Sequence, residues 1–480
     1  MSARWLRVAL LAGTGAAAMA LSAALTASDA FADSTDLVMG GSGMPIPPQV
    51  YIDDVNDLYL HCATACSLQS LATPEGLYPI IGPKELPFDT SVTQGVTILN
   101  NAIKDQLADG NTVTALGYSQ SATIDTIEME NIANGTAGIH PDPDQLKFVL
   151  LGDPNNPNGG MLERFDLPAL GANPSIPSLG ITFSGATPVT EYPTDIYTGE
   201  YDGFADYPRY PLNLLSDLNA LLGILFVHTQ YPNMDLSTAE EIGQAGATTY
   251  HMVPTDHLPL LDLVRSIPAV GPVVSDLLEP DLRVLVNLGY GDPDYGWSTS
   301  APDVPTPLGL FPSLADFEKV PGLLVSGTEQ GIADAVKDVV GYLQDPASVF
   351  SLADNPLVNL LQTPFIVAVA AEDISFPPPG VSLDSLVNAV SAAASAGYAS
   401  LLPLADIANA MVTTLPALDV TGIVNELAAG DLLDAIGLPI AADVGILPVA
   451  GFFALASVGE GALFAAGDLL SPFIDIAGLL

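Results

Sequence analysis

The sequence predicts an α/β layer fold, a mostly parallel sheet flanked by helices, followed by an Ala/Leu-rich helical C-terminal region. Three observations carry this expectation. From about Asp33 to about Ser300, short strand-like runs alternate with stretches of helical period. One passage from strand to helix is built around Gly117-Tyr118-Ser119-Gln120-Ser121. Beyond roughly Pro302 the composition turns to Ala, Leu, Val and Gly, with only two bases, Lys319 and Lys337, in the last 180 residues.

The first 32 residues read as an export signal: Arg4 and Arg7, an apolar stretch from Val8 to Leu25, then the small-x-small pattern Ala30-Phe31-Ala32. The stretch is long for a signal, so an uncleaved N-terminal anchor is the competing reading. Thr35-Asp36-Leu37-Val38-Met39 is a β-run that ends in the tight turn Gly40-Gly41-Ser42-Gly43. Ser91 to Leu107 places apolar residues at Val92, Val96, Leu99, Ile103 and Leu107, a helical period. Thr112–Leu116 is a short β-branched run, Ala122–Ile132 is helical, and Leu146–Leu151 is a buried-type strand stopping at Gly152-Asp153-Pro154. After a Pro/Gly/Asn-rich loop, Thr194–Tyr201 reads as a strand, Leu212–Val227 as a helix and Thr248–Val253 as a further strand. Strands separated by helices imply parallel pairing with right-handed crossovers. The expected domains are 1–32 for export, 33–300 for the α/β unit and 301–480 for the C-terminal region. Within that region Gly331–Leu343, Leu383–Ala396 and Ile407–Thr414 are helical, without a fixed repeat. A helical appendage, a lid over the site and a disordered apolar tail all remain open.

The charge balance is lopsided, 55 acids against 11 bases. Such a chain is repelled by nucleic acid and by anionic headgroups, and the excess keeps an unusually apolar exported protein soluble. No Gly-rich phosphate loop, metal cluster or basic stripe is present, so no cofactor, metal or nucleic acid is expected. Cys62 and Cys66, four residues apart, predict a short-range disulfide in an oxidising exterior. His61 beside them suggests a metal only superficially, because a fourth ligand at recognisable spacing is lacking. The Asn134-Gly135-Thr136 sequon reads as a chance match.

The serine motif carries the chemistry. A sharp strand-to-helix turn holds the serine exposed at the carboxyl end of a sheet, and small residues two before and two after it let the backbone close. Here Ser121 stands where glycine is usual. The helix N-terminus behind Ser119 offers backbone N–H groups, that of Gln120 above all, to an oxyanion. The plain alternative is a helix whose first turn Ser119 or Ser121 merely caps. A serine nucleophile needs a histidine base and an orienting carboxylate, in this fold type in the chain order serine, acid, histidine. His61 precedes the serine and His140 comes too early, which leaves His228, His251 and His257. Asp202, directly after the strand Thr194–Tyr201, is the favoured acid, with Asp206 as contender; Asp153 reads better as an Asx turn. Each of the three histidines would equally suit a hydrogen-bonded loop position.

The block from Leu37 to about Tyr290 resembles the PE-PPE domain, a cutinase-like α/β-hydrolase module. The resemblance rests on seven stretches in order: Val38-Met39-Gly40-Gly41-Ser42-Gly43; Gly117-Tyr118-Ser119-Gln120-Ser121; Leu151-Gly152-Asp153-Pro154-Asn155 with Asn158-Gly159-Gly160; Tyr201-Asp202-Gly203-Phe204-Ala205-Asp206-Tyr207-Pro208; Leu218-Asn219-Ala220; Val227-His228-Thr229-Gln230-Tyr231; and Leu258-Pro259-Leu260-Leu261. An export signal stands where many members carry a PE or PPE helical module, and the resemblance gives no counterpart for the C-terminal region. It implies a triad of Ser119, Asp202 and His228, with the first-strand loop (Gly41, Ser42) supplying the second oxyanion donor beside Gln120. It also implies an esterase acting on acyl or glycolipid substrates, or an acyltransferase moving long chains between trehalose glycolipids of the outer envelope. The competing class is a catalytically silent envelope protein that uses the scaffold and apolar tail to bind lipid or a partner.

Overall fold

The computed structural model describes residues 34–63, 66–346, 348–351, 355–363 and 381–473. The expected export signal lies outside the described residues. Seven strands form one sheet in the order β2-β1-β3-β4-β7-β9-β8: β1 (Ser34–Val38), β2 (Cys66–Ser70), β3 (Thr112–Tyr118), β4 (Leu146–Leu151), β7 (Thr194–Gly199), β8 (Glu240–Ala245) and β9 (Thr248–Val253). All neighbours are parallel except the β8–β9 hairpin. Two short strands, β5 (Ser175–Ile176) and β6 (Ile181–Thr182), make a separate antiparallel ribbon.

Central strands covered on both faces must be apolar throughout, and β4 is almost wholly buried along its length. Leu116 of β3 sits opposite Val38 of β1 and Val149 of β4, all three buried. Edge strands face no such demand. β2 (Cys-Ser-Leu-Gln-Ser) and β8 (Glu-Glu-Ile-Gly-Gln-Ala) are half-exposed and polar, which is why their sequences do not announce them.

The body helices are α1 (Gln49–Val55), α2 (Phe88–Ala108), α3 (Gln120–Ala133), α4 (Met161–Arg164), α5 (Leu214–Phe226), α6 (Pro259–Arg265) and α7 (Gly271–Asn287). α2 and α3 cover one face, packing Val92, Leu99, Ile103 and Ile124 against the sheet. Gly95 of α2 allows the close approach, since a Cβ there would overlap Ile124. After β9 the chain still follows the body: the fully buried Arg164 guanidinium donates to the carbonyl and hydroxyl of Thr306, and Leu308 N–H to the Arg164 carbonyl.

The C-terminal region is helical: α8 (Leu314–Gln344), α9 (Pro356–Leu361), α10 (Leu383–Ala399), α11 (Leu401–Asn409), α12 (Leu415–Ala429) and α13 (Leu432–Leu470). α8 pairs with α7, where Gly331 meets the Leu277 backbone. The last three helices return to the α/β body. Tyr207 donates to the Gly445 carbonyl at 2.8 Å, Tyr78 to Asp406 at 2.6 Å, and Asn425 to the Ala169 carbonyl at 2.8 Å. Gly445 lies against the Phe165 ring, to which an added Cβ would stand 3.1 Å away.

Candidate active site

The site begins at the end of β3. Ser119 adopts φ 59° and ψ −117°, outside the regions open to most side chains, and α3 starts at the next residue. Such strain persists only where the surroundings over-determine it. Gly117 leaves no room for a side chain, because a Cβ would overlap Asp125 and the Ser121 carbonyl. Ser121 adds a bond that glycine would lack: its hydroxyl accepts from Tyr118 N–H at 2.7 Å and donates to the Tyr118 carbonyl at 3.1 Å.

Ser119, His228 and Asp202 come together. His228 Nε2 lies 2.8 Å from Ser119 Oγ, and Nδ1 lies 2.7 Å from Asp202 Oδ2. Asp202 sits just past β7, and His228 follows α5 directly. Asp202 is fully buried, and two further donors satisfy it: Tyr231 Oη at 2.8 Å and Phe204 N–H at 2.9 Å. Tyr118 stacks on the imidazole, with ring centroids 5.4 Å apart, while Phe204 meets it edge-on. Gly152 makes space behind it, since a Cβ there would come within 3.0 Å of His228 Cε1.

The other histidines lie elsewhere. His251 is 3.3 Å from Asp195 and stacks on Tyr197, His257 faces Glu279 at 3.5 Å, and His140 faces Glu191. His61 ends the turn after α1 in a left-handed conformation. Asp206 is buried and accepts from Tyr201 N–H at 2.9 Å, bracing the acid loop. Asp153 forms an Asx turn with Asn155 N–H and accepts from Thr187; burial pushes its carboxyl up to about 7. Cys62 and Cys66 are joined as a disulfide. Asp36 lies beside them, but disulfide sulfurs offer no thiolate to a metal.

Beside the serine, Gly41 packs against the Tyr118 ring and Ser119 Cβ, where an added Cβ would stand 3.0–3.2 Å away. Among the described residues, the backbone N–H groups of Ser42 and Gln120 have no protein acceptor. Side chains lock these two segments together. Ser42 Oγ donates to Gln120 Oε1 at 2.8 Å, Gln120 Nε2 to Ser91 Oγ at 2.6 Å, and Gly76 N–H to the same hydroxyl at 2.9 Å. Sequence reasoning assigns Gln120 a role through its backbone only. Its side chain, and the Tyr231 hydroxyl on the acid, carry no local signal, because both act across long chain separations.

Ser119 opens onto an apolar cavity of about 100 Å³. Among the described residues, Ser42, Ser119 and Gln120 are the polar ones lining it, and they lie together, Ser42 bonded to Gln120 and Gln120 next to Ser119. Phe88, Met161 and Phe183 wall it from the body, and Ile407, Met411 and Phe453 from α11, the turn after it and α13. The arrangement suits an apolar chain with its reactive polar end at the serine.

The PE-PPE domain pattern matches residues 65–291. The chain is 44% identical over 460 residues to the uncharacterized PPE family protein PPE28 of Mycobacterium tuberculosis, covering 90% of this chain and 66% of that protein. That match reaches past Pro302, so the C-terminal region does have a counterpart, contrary to what the motif blocks alone offered. Esterase PE16 of the same organism is 45% identical over 298 residues, 60% of this chain and 53% of the esterase. Diacyltrehalose acyltransferase Chp2, also from M. tuberculosis, is 29% identical over 248 residues, 49% of this chain and 65% of that enzyme. The chain thus spans between about half and two thirds of the length of these curated relatives. No solved structure matches it. With its parallel sheet, its serine turn, the pattern match and these identities, the chain belongs to the PE-PPE domain family.

Proposed function

We propose that this protein is a serine esterase hydrolysing acyl esters through an acyl-enzyme on Ser119. The observation that carries the reading is the relay from Ser119 Oγ through His228 to Asp202, at 2.8 and 2.7 Å, on the polar end of an apolar cavity. His228 Nε2 takes the serine proton as Oγ attacks the ester carbonyl. Asp202, held by Tyr231 and Phe204, stabilises the imidazolium. The Gln120 and Ser42 N–H groups receive the oxyanion, where one such donor is worth about 3 kcal/mol in the transition state. Collapse breaks the C–O bond to the alcohol, which leaves with the proton from Nε2. Water, activated by His228, then releases the acid.

Acyl transfer is the second reading, with a sugar hydroxyl of a trehalose-type glycolipid replacing that water. The roof of helices over an almost wholly apolar cavity favours it by excluding water, and the name of the relative Chp2 supports it. The Cys62–Cys66 disulfide supports a location in an oxidising compartment outside the cytoplasm.

The test is hydrolysis of p-nitrophenyl esters by the protein and by Ser119→Ala. Turnover that vanishes in the variant is expected; turnover equal in both would remove Ser119 as nucleophile. If neither protein turned over these esters, and neither moved an acyl chain between trehalose glycolipids, the silent lipid-binding reading would replace both.

A further inference from the structure

A second apolar compartment, of about 30 Å³, lies behind the cavity at Ser119. Four residues line both spaces: Ile176, Phe183, Leu415 and Ile446. A single layer of side chains therefore separates them, and two of the four belong to α12 and α13. The far walls come from those same helices, through Leu418, Gly422 and Ala442. Gly422 lies against Leu170 of the body, where an added Cβ would stand 3.1 Å away. Among the described residues, the polar ones lining the second compartment are three carboxylates, Asp419, Glu426 and Asp443. Partial burial and the neighbouring Asp443 push the Asp419 carboxyl up, and partial burial does the same to Asp443.

We propose that α12 and α13 complete one acyl channel, which runs from Ser119 between Leu415 and Ile446 into this second compartment and takes chains too long for the first cavity. The inference rests on the esterase reading for its chemistry and on the two compartments for its geometry. Apolar burial scales with chain length, at about 0.8 kcal/mol for each methylene removed from water, so a channel with two compartments favours long chains over short ones. The carboxylates give it direction. A fatty acid headgroup is repelled from the distal end, and the acyl carbonyl is left at the serine, where the N–H donors lie.

The experiment uses the full chain with Ala442→Trp and Leu418→Trp, which fill the second compartment, with folding checked by circular dichroism. The ratio of C16 to C4 p-nitrophenyl ester turnover is expected to fall at least tenfold in each. An unchanged ratio in folded variants would overturn the channel. A binding measurement separates this from the esterase reading: cis-parinaric acid fluorescence with the Ser119→Ala protein. Saturable binding is expected, displaced by palmitate but not by butyrate, and weakened at least tenfold when Ala442→Trp is added. Absent binding, or binding indifferent to Ala442→Trp, would overturn the channel whatever the esterase assay gave. Binding of this kind without turnover by the unsubstituted protein would remove the esterase reading and leave the channel standing.

Discussion

The Ser42 hydroxyl donates to Gln120 Oε1 at 2.8 Å across 78 residues of sequence, joining the loop after β1 to the first residue of α3. The bond fixes the spacing of two backbone N–H groups beside Ser119. Gln120 Nε2 extends the brace to Ser91, which also holds Gly76. Gln120→Ala removes the brace but neither backbone donor. Deleting a donor outright typically costs about 10²–10³ in kcat; loosening two should cost less, about tenfold to a hundredfold. The check is kcat and KM for a C4 ester, with the loss in kcat. A loss confined to KM would show that Gln120 serves binding alone.

Tyr231 holds the other end of the relay. Its hydroxyl donates to Asp202 Oδ2 at 2.8 Å and accepts from Gly199 N–H at 2.9 Å. Tyr231→Phe leaves the buried Asp202 with one donor fewer and the Gly199 N–H without a partner. A hydrogen bond to a charged group contributes about 1.5–3 kcal/mol, so kcat should fall about tenfold or more, and stability should drop as well. Steady-state kinetics beside urea denaturation tests both. Full activity in the variant would show that His228 and Phe204 N–H suffice to hold the carboxylate.

Gln120 and Tyr231 mark where sequence reading stops. The turn at Ser119 is legible because its determinants are local: a β-branched run, two small residues flanking the serine, and a helix behind. Asp202 is legible as a strand-end acid, while His228 needed the family blocks, since His251 and His257 fit chain order equally well. In the structure those two pair with Asp195 and Glu279 instead. Tyr231 meets Asp202 from 29 residues away, and no periodicity encodes such a contact. For the C-terminal region the sequence offers a lid over the site only as one of three readings, beside a helical appendage and a disordered tail. The outward faces of its helices keep residues such as Val387, Val420 and Leu455 exposed, so the Ala/Leu pattern does not separate the face lining the cavity from the face turned away.

Gly117 is the position where the elbow tolerates least. A methyl group there would overlap the Asp125 carboxyl and the Ser121 carbonyl, and the carbonyl, being backbone of the elbow, cannot move without opening the turn. Overpacking of this kind costs about 1–3 kcal/mol. Gly117→Ala should lower the urea midpoint by that measure and abolish turnover, because Ser119 would be displaced from His228. Ser121→Gly, which restores the usual motif residue, should keep turnover and lose only the two bonds to Tyr118. Equal activity of Gly117→Ala and the unsubstituted protein would mean that the turn opens without moving the serine.

Beneath the elbow lies a set of buried carboxyls, and it sets the pH dependence of stability. Burial pushes Glu75 up to about 8, and Glu128, Asp153 and Glu163 up to about 7. Asp125 is raised well above its ordinary value by burial, then by Asp153, Glu128 and Glu75. In the unfolded chain these groups lose their protons near pH 4. Between that pH and their folded values the native state binds more protons, so their contribution is fully present below about pH 4 and lost as pH rises through 7–8. Each such group weighs about 1.4 kcal/mol per pH unit across its own window. Glu279, held down to about 2 against burial by His257 and Arg283, works the other way, as do Asp195, Asp235 and Asp292, whose carboxyls are also lowered, but the buried groups raised to 7–8 outweigh them. The urea midpoint should therefore be higher at pH 5 than at pH 9. Asp125→Asn should match the unsubstituted protein at pH 5 and exceed it at pH 9, because the amide never has to ionise. A midpoint that rises from pH 5 to pH 9 would mean that these carboxyls are ionised in the native state and paired in ways their surroundings do not provide.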